Sequence, residues 1–387
     1  MKIAFIGQKG IPAVGGGVER YVEDLSVRIA SYGHEVTVYT RPNYTSKYLL
    51  DYQGVSLLSL PTIPSKHLDA ISHSFLATVH AAFKKVDVIH YQSIGPALTA
   101  WLPKIINPKV KIVSTLQSRD YQHQKWGTLA RFMLRLGEKF MCRFSDEVLV
   151  ITESMKDYVE QSYGLSPKVI PNGANLYEVI GRDDLLKDWG LEKDNYLVAI
   201  SRLIRHKGLG YLIEAFKQIK TDKRLVIVGE GSFTDDYVAE LKELAKDDQR
   251  IIFTGNQTGD TLAQLYENAC LFVQPSESEG LSLALLEAMA RRKAVLVSDI
   301  PENAEVVAEA GFSFKNRDVN DLVAKLNNIL ANEEELQTKG LLARERVANY
   351  YNWEDIAAKI NSVYKEVLLG KKTPKAELNN STKVKTA

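Results

Sequence analysis

Residues 1–25 read MKIAFIGQKGIPAVGGGVERYVEDL. An apolar hexapeptide runs into five glycines and a proline, and Val18, Tyr21, Val22 and Leu25 then follow at helical spacing. A strand that ends in glycines and opens a helix is the first half of a β–α–β unit. Glycine lets backbone N–H groups approach a phosphate, and the helix start beyond favours anions. The spacing does not match the common nucleotide loops. Gly15, Gly17 and then Arg20 occupy the G-x-G-x-x-G pattern, so its third glycine is missing, and no G-K-[ST] follows. The loop is therefore expected to be the floor of a site that it shares with other residues, the alternative being a flexible surface turn.

Outward from this unit, the pattern repeats. Strand candidates in the first half are KIAFIG, EVTVYT, VSLLSLP, VIHYQS, KIVSTLQ, EVLVIT and KVIPNG. The helix after the first strand carries Val18, Tyr21, Val22, Leu25 and Ile29 on one face and stops at Gly33. The second half has its own set, YLVAIS, RLVIVG, RIIFTG, CLFVQPS, AVLVSD and GFSFKN, with a helix bearing Leu209, Leu212, Ile213, Phe216 and Ile219. Near-continuous apolar strands between helices predict parallel sheets covered on both faces. Two doubly wound domains are expected, at 1–175 and 190–350, joined within the charged stretch Leu176–Asn195. Ligands of such sheets bind at the carboxyl ends of the strands, so two facing sheets make a cleft. Two helical stretches follow residue 332, and a lysine-rich tail, 371–387, is expected to be disordered.

Length agrees with two cores: 387 residues exceed one ordinary domain. A hydrophobic share of 45% and a charged share of 25% are those of a soluble globular protein, and a net charge of +1 gives no reason to expect nucleic acid. Cys142 and Cys270 stand far apart in apolar surroundings and read as buried thiols of a reducing compartment. No leader pattern is present at Met1, and no apolar run approaches the ~18 to 20 residues that span a bilayer. A cytoplasmic protein is expected, at most attached to a membrane face.

Chemistry concentrates in PSESEGLSLALLEAMA, 275–290, and SRLIRHKGLGYLIEAF, 201–216. Glu279 lies in the loop after a strand and Glu287 in the helix expected from near Gly280. Eight helical rises would separate them by roughly 12 Å, which suits the two ends of a nucleotide sugar. Free N–H groups around Leu281, Ser282 and Leu283 would face its diphosphate. Arg202 ends the first strand of the second domain and Lys207 precedes a helix, where two cations suit a leaving diphosphate. Each feature alone also fits a polar helix start or a solvated surface.

The ordered set GGGVERYVEDL, VIPNGAN, SRLIRHKG, VGEGS, FTG and PSESEGLSLALLEAMA resembles the retaining GT-B glycosyltransferases of family 4, over Met1 to about Leu369. The resemblance implies two Rossmann-like domains that clamp a nucleotide sugar, with the helix 353–369 crossing back onto the first. It implies that Arg202 and Lys207 neutralise the diphosphate, with Glu279 on sugar hydroxyls and Glu287 on the ribose. Gly15, Gly16 and Gly17 would close over the donor, and Asn172, Gly229 and Gly280 with Leu281, Ser282 and Leu283 would complete its site. The segment TLQSRDYQHQKWG, 115–127, is similar to a pattern of a bacterial surface-polysaccharide branch of rhamnosyl- and galactosyltransferases through Thr115, Asp120, Lys125 and Trp126. It departs at Gln117, where the family has a histidine against the transferred sugar, and at Ser118. Asp120 is a candidate donor contact or structural cap, and His123 a candidate base or plain surface residue.

The expected function is transfer of a sugar from a UDP-, GDP- or dTDP-linked donor to a glycan or lipid-linked acceptor, with retention. A nucleotide-sugar epimerase or phosphorylase, or a non-catalytic nucleotide-sugar-binding protein, would use the same architecture. No cofactor is expected. No D-x-D pair or His/Cys cluster offers itself to a metal, so a metal-independent reaction is expected. Finally, LARFMLRLGEKFMCRF, 129–144, reads as a helix with Leu129, Phe132, Met133, Leu136, Phe140 and Phe144 inward. Its basic stripe of Arg131, Arg135, Lys139 and Arg143 would suit an anionic membrane or simply be solvated.

Overall fold

The computed structural model describes residues 1–65, 68–119, 121, 127–178, 181–231 and 234–376, which form two units. The first runs in the order β1 (Lys2–Ile6), α1 (Gly17–Ser31), β2 (Glu35–Thr40), β3 (Asp51–Tyr52), β4 (Val55–Ser59), α2 (Asp69–Phe83), β5 (Val88–Gln92), α3 (Ile94–Ala97), α4 (Leu102–Ile106), β6 (Lys111–Leu116), α5 (Thr128–Phe144), β7 (Glu147–Val150), α6 (Glu153–Tyr163) and β8 (Lys168–Val169). Its sheet order is β3-β4-β2-β1-β5-β6-β7-β8, parallel except for the β3–β4 pair. All seven strands read from the sequence are present. The two-residue β3 has too short a pattern to read.

The second unit contains β9 (Tyr196–Ile200), α7 (Leu209–Gln218), β10 (Arg224–Val228), α8 (Asp235–Ala245), β11 (Ile251–Gly255), α9 (Gly259–Glu267), β12 (Leu271–Gln274), α10 (Leu283–Ala290), β13 (Ala294–Ser298), α11 (Pro301–Val307), β14 (Phe312–Phe314), α12 (Val319–Leu330) and α13 (Glu333–Tyr350). Its sheet is wholly parallel, in the order β11-β10-β9-β12-β13-β14. The apolar face of α7 packs with β9, β10 and β12 through Leu212, Ile213, Phe216, Ile227 and Val273. The stretch expected to join the domains belongs to this unit, which begins at Gly173. Asp184–Trp189 forms a 3₁₀ helix there with Leu186 buried.

The chain then returns to the first unit as α14 (Trp353–Leu368). This helix packs beside α1, with the rings of Trp353 and Tyr21 5.5 Å apart. The Tyr364 hydroxyl lies 2.7 Å from Nδ1 of fully buried His90, whose Nε2 lies 2.7 Å from Thr115 Oγ1. Residues 371–376, expected to be disordered, are instead held along the first unit. Thr373 N donates to the Asp146 carbonyl at 2.9 Å, Val148 N donates to Thr373 Oγ1 at 2.8 Å, and Ser166 N donates to the Pro374 carbonyl at 2.9 Å. Unpaired backbone groups at that sheet edge supply the reason. Residues 377–387 lie outside the described residues.

One expected packing face is corrected. Leu129 and Phe132 of α5 are 75% and 62% exposed, and the buried face is Gly137, Glu138 and Met141. A Cβ on Gly137 would stand 2.2 Å from the Ile94 carbonyl, so it is the glycine face that approaches α3. Glu138 is satisfied there by the hydroxyls of Tyr158 and Tyr163, each donating at 2.6 Å. Close backbone approach therefore decides the inward side, and the apolar stripe does not.

Candidate active site

In a doubly wound sheet the ligand site lies where strand order reverses, because the connections leave to opposite faces and open a crevice. In the second unit that point falls between β9 and β12, which pair at Leu197–Leu271 and Val198–Phe272. Their exits are Ser201–Gly208 and Pro275–Ser282. Arg202 is exposed on the first exit, and its carbonyl accepts from Ile204 N at 2.9 Å. A 3₁₀ turn, Arg205–Lys207, follows and ends in Gly208 at φ +67°. A Cβ on Gly208 would meet the Pro275 carbonyl at 1.9 Å, so glycine is required for the two exits to touch. Gly229 at φ +135° plays the same part after β10, 1.9 Å from the Ser201 carbonyl by the same construction.

This closeness brings Lys207 to Glu279. Its Nζ donates to Oε1 at 2.6 Å and Oε2 at 2.7 Å, with the side chains only 14% and 8% exposed. The sequence reading gave these two residues to diphosphate and sugar separately; the structure makes them one ion pair, so Lys207 is not an unpaired cation. Neighbouring Glu277 accepts from Tyr211 Oη at 2.8 Å and from Arg317 Nη2 at 2.6 Å, and its N–H donates to the His206 carbonyl at 2.8 Å. Desolvation and the Glu277 carboxylate raise the Tyr211 hydroxyl above its ordinary pKa.

The helix expected from near Gly280 begins at Leu283, so the spacing of eight helical rises between Glu279 and Glu287 does not apply. Ser282 is the N-cap: its Oγ accepts from Leu285 N at 3.3 Å and donates to Gln274 Oε1 at 2.6 Å. Gln274 Nε2 in turn donates to Asn303 Oδ1 at 2.8 Å. This buried network fixes the loop, while Gly280, Leu281 and Ser282 stand before the helix and Leu283 is its first residue. The N–H groups of Leu283 and Ala284 have no intrahelical acceptor, which leaves the positive end of the helix dipole at this exit. Glu287 lies one turn on, 4.0 Å from Arg291, whose guanidinium stacks 3.6 Å from the Tyr177 ring.

In the first unit the order reverses at β1, flanked by β2 and β5. The glycine loop there is largely occupied by its own partners. Lys9 N donates to Glu19 Oε1 at 2.9 Å and Ala13 N to Glu23 Oε2 at 3.1 Å. The Tyr44 hydroxyl accepts from Val14 N and Gly15 N and donates to the Gly15 carbonyl. Gly15 therefore has no spare amide. Exposed Gly16 and Gly17 remain at the start of α1, where Gly16 is the N-cap and no side chain caps. Gln117 is buried and donates through Nε2 to Gln92 Oε1 at 3.2 Å. Asn172 is buried at the end of the unit. Asp120, His123, Lys125 and Trp126 lie outside the described residues.

Sequence reasoning missed Gln92, Gln274 and Tyr44. The first two share a readable signal, a single amide as the last residue of a strand that carries no acid, lysine or arginine. Among the described residues no group of three or more His, Cys, Asp or Glu could hold a metal ion. Both cysteines are free and partly buried, and burial pushes the Cys142 thiol up to about 12 and the Cys270 thiol to about 11.

The comparisons with known proteins fall on these same two units. Residues 15–178 match the model described as Glycosyltransferase Family 4, and residues 181–346 the one described as Glycosyl transferases group 1. The chain is 27% identical over 391 residues to the N-acetyl-alpha-D-glucosaminyl L-malate synthase of Bacillus anthracis, covering 96% of this chain and 99% of that one. Its fold is that of sucrose-phosphate synthase from Thermosynechococcus elongatus, at TM-score 0.83 and 24% identity over 95% of this chain and 99% of the other. The structure of Anabaena HepE in complex with UDP-glucose aligns at TM-score 0.80 and 21% identity, over 95% and 100%. Two parallel-sheet α/β units, both matched by glycosyltransferase domains and aligned end to end with such enzymes, make this chain a glycosyltransferase of the GT-B superfamily, family 4 in its first half.

Proposed function

We propose that the enzyme transfers a sugar from a UDP-linked donor to a hydroxyl of a glycan or lipid-linked acceptor, with retention, in cell-surface polysaccharide or glycolipid synthesis. The observation that carries this reading is that the Lys207–Glu279 pair joins the two strand exits at the order reversal of the second sheet, with Arg202 exposed on one exit and the start of α10 on the other. Breaking the sugar–phosphate bond develops negative charge on the leaving diphosphate, and fixed cations and a helix dipole stabilise it there. We assign that neutralisation to Arg202, Lys207 and α10 rather than to a bound metal. Glu279 holds sugar hydroxyls with its remaining lone pairs, and Glu287 holds the ribose. The UDP assignment is supported by the UDP-glucose in the structure of HepE. The motif through Thr115 supports a place in the rhamnosyl- and galactosyltransferase branch, with Gln117 altering how the sugar is held.

The test is a thermal-shift panel of UDP-, GDP- and dTDP-sugars, followed by transfer to acceptors. A native-state ligand raises the midpoint by mass action. A UDP-sugar should give the largest shift, and NMR of the product should show the donor's anomeric configuration kept. An inverted product, or a larger shift with GDP- or dTDP-sugars, would overturn the corresponding part.

A further inference from the structure

On the first unit, α5 packs on α3, α3 on α2, and α2 on α4. The outward side of this helical layer has an unusual charge distribution. The chain as a whole balances 49 Lys and Arg against 48 Asp and Glu. Yet α2, α3, α4 and α5 contain two carboxylates, and neither faces water freely. Asp69 is paired with buried Arg41 at 2.6 Å, and Glu138 is 1% exposed beneath its two tyrosines. The exposed charges of α5 are all positive: Arg131, Arg135, Lys139 and Arg143, one per turn. They form a row of about 18 Å. Among the described residues none of the four has an ion-pair partner.

Large apolar side chains are exposed in the same layer. Phe132 stands within the basic row, and Leu129 flanks it. On α2, which carries no charged residue after Asp69, Phe75 is 47% and Phe83 69% exposed, and Ile105 of α4 is 69% exposed. A solvated basic face needs no such aromatic residues, and an apolar protein interface gains nothing from four cations that no carboxylate neutralises among the described residues, where Arg135 alone of the four lies over a ring, that of Tyr121 at 5.3 Å. Anionic lipid headgroups over acyl chains match both features, since the row meets phosphates while the rings enter the headgroup boundary.

We infer that this α2–α5 face docks on an anionic membrane surface, with α5 lying in the plane of the headgroups. No helix among the described residues is long and apolar enough to cross a membrane, so the contact is peripheral. The inference deepens the proposed function by naming the surface that meets a lipid-borne acceptor, and it rests on that reading for its purpose alone.

Flotation of the full-length protein tests it. With vesicles of phosphatidylglycerol and phosphatidylcholine in equal parts at low ionic strength the protein should float; with phosphatidylcholine alone, or at high salt, it should stay down. The combined substitution Arg131→Gln, Lys139→Gln, Arg143→Gln should lower partitioning by about 10²-fold, from a loss of about 1 kcal/mol per basic residue. Phe132→Ser should weaken binding without changing its salt dependence. Transfer to a soluble acceptor should be unaltered in all variants, so failure of docking and failure of the glycosyltransferase reading are told apart. A wild-type protein that ignores anionic vesicles, or a triple variant that binds them equally, overturns the inference. So does light scattering that shows a dimer abolished by Phe83→Ser, because the face would then belong to a second copy.

Discussion

Replacing Lys207 by alanine removes the cation from a pair in which both oxygens of Glu279 are engaged, at 2.6 and 2.7 Å, and in which neither side chain is more than 14% exposed. Two consequences follow, and they separate. For folding, Glu279 is left charged where water scarcely reaches, and losing one partner of a buried pair costs about 3–5 kcal/mol. The residual exposure favours the lower end, about 3 kcal/mol, which for a domain of this size lowers the melting midpoint by about 6–12 °C. For catalysis, a group that binds the diphosphate more strongly as it departs raises turnover, whereas uniform binding would only lower the Michaelis constant. Loss of one preorganised electrostatic group should cut kcat by about 10²- to 10³-fold.

The double variant Lys207→Met, Glu279→Gln distinguishes the two effects. It replaces the pair by neutral groups of similar volume, so the melting midpoint should return towards wild type while turnover stays low. The assay is nucleotide release at saturating donor and acceptor, with the nucleotide sugar selected by the thermal-shift panel and folding checked by the melting curve. Turnover that recovers together with stability would show that Lys207 serves only to neutralise Glu279. Near-normal kcat in both Lys207→Ala and Arg202→Ala would refute the assignment of the diphosphate to this exit.

Three further outcomes are expected. Glu287→Ala should raise the donor KM by about 10- to 100-fold, the worth of a hydrogen bond to a charged group, with kcat little changed because a ribose contact alters little during reaction; a fall confined to kcat would contradict the ribose role. Transfer should proceed at an unchanged rate in excess chelator, and activity that vanishes and returns with manganese or magnesium would count against neutralisation by Arg202, Lys207 and α10. His90, lowered to about 3 by burial, binds its proton far less readily folded than unfolded. The unfolded chain therefore holds more protons between about pH 3 and 6.5, and stability falls as pH drops through that window, by up to about 1.4 kcal/mol per unit. The stability gap between wild type and His90→Asn should narrow accordingly in urea titrations at pH 6 and below, and a constant gap would exclude the linkage.

Most of the secondary structure was legible because it is written locally. An apolar run such as YLVAI, or a stripe such as Leu212, Ile213 and Phe216, has a period that depends on the backbone alone and not on its neighbours. The motifs were legible for a related reason: glycines and charges cluster at strand exits, where doubly wound sheets keep their chemistry. The start of α10 was also within reach, since Ser282 is a good N-cap and the helix begins just after it, at Leu283. Leu129 and Phe132 were misread because apolar periodicity names a stripe without saying which helix face can approach a neighbour. Gly137 decides that, through a carbonyl 43 residues away in Ile94.

What the sequence by itself determined is two parallel α/β cores, a helix rich in cations, and the residue types available at each strand end. Which strand ends stand side by side was decided only in the tertiary structure. Parallel strands of similar apolar composition pair equally well by local criteria, and their order is set by how the connecting helices pack across the whole sheet. That order places β9 beside β12, and so joins Lys207 to Glu279 across 72 residues of chain. It likewise sets Tyr44 against Gly15 and spends an amide that the glycine loop alone would have offered to a ligand. Buried polar groups must find partners wherever the fold brings them, and those partners are chosen by proximity in space, which no local pattern encodes.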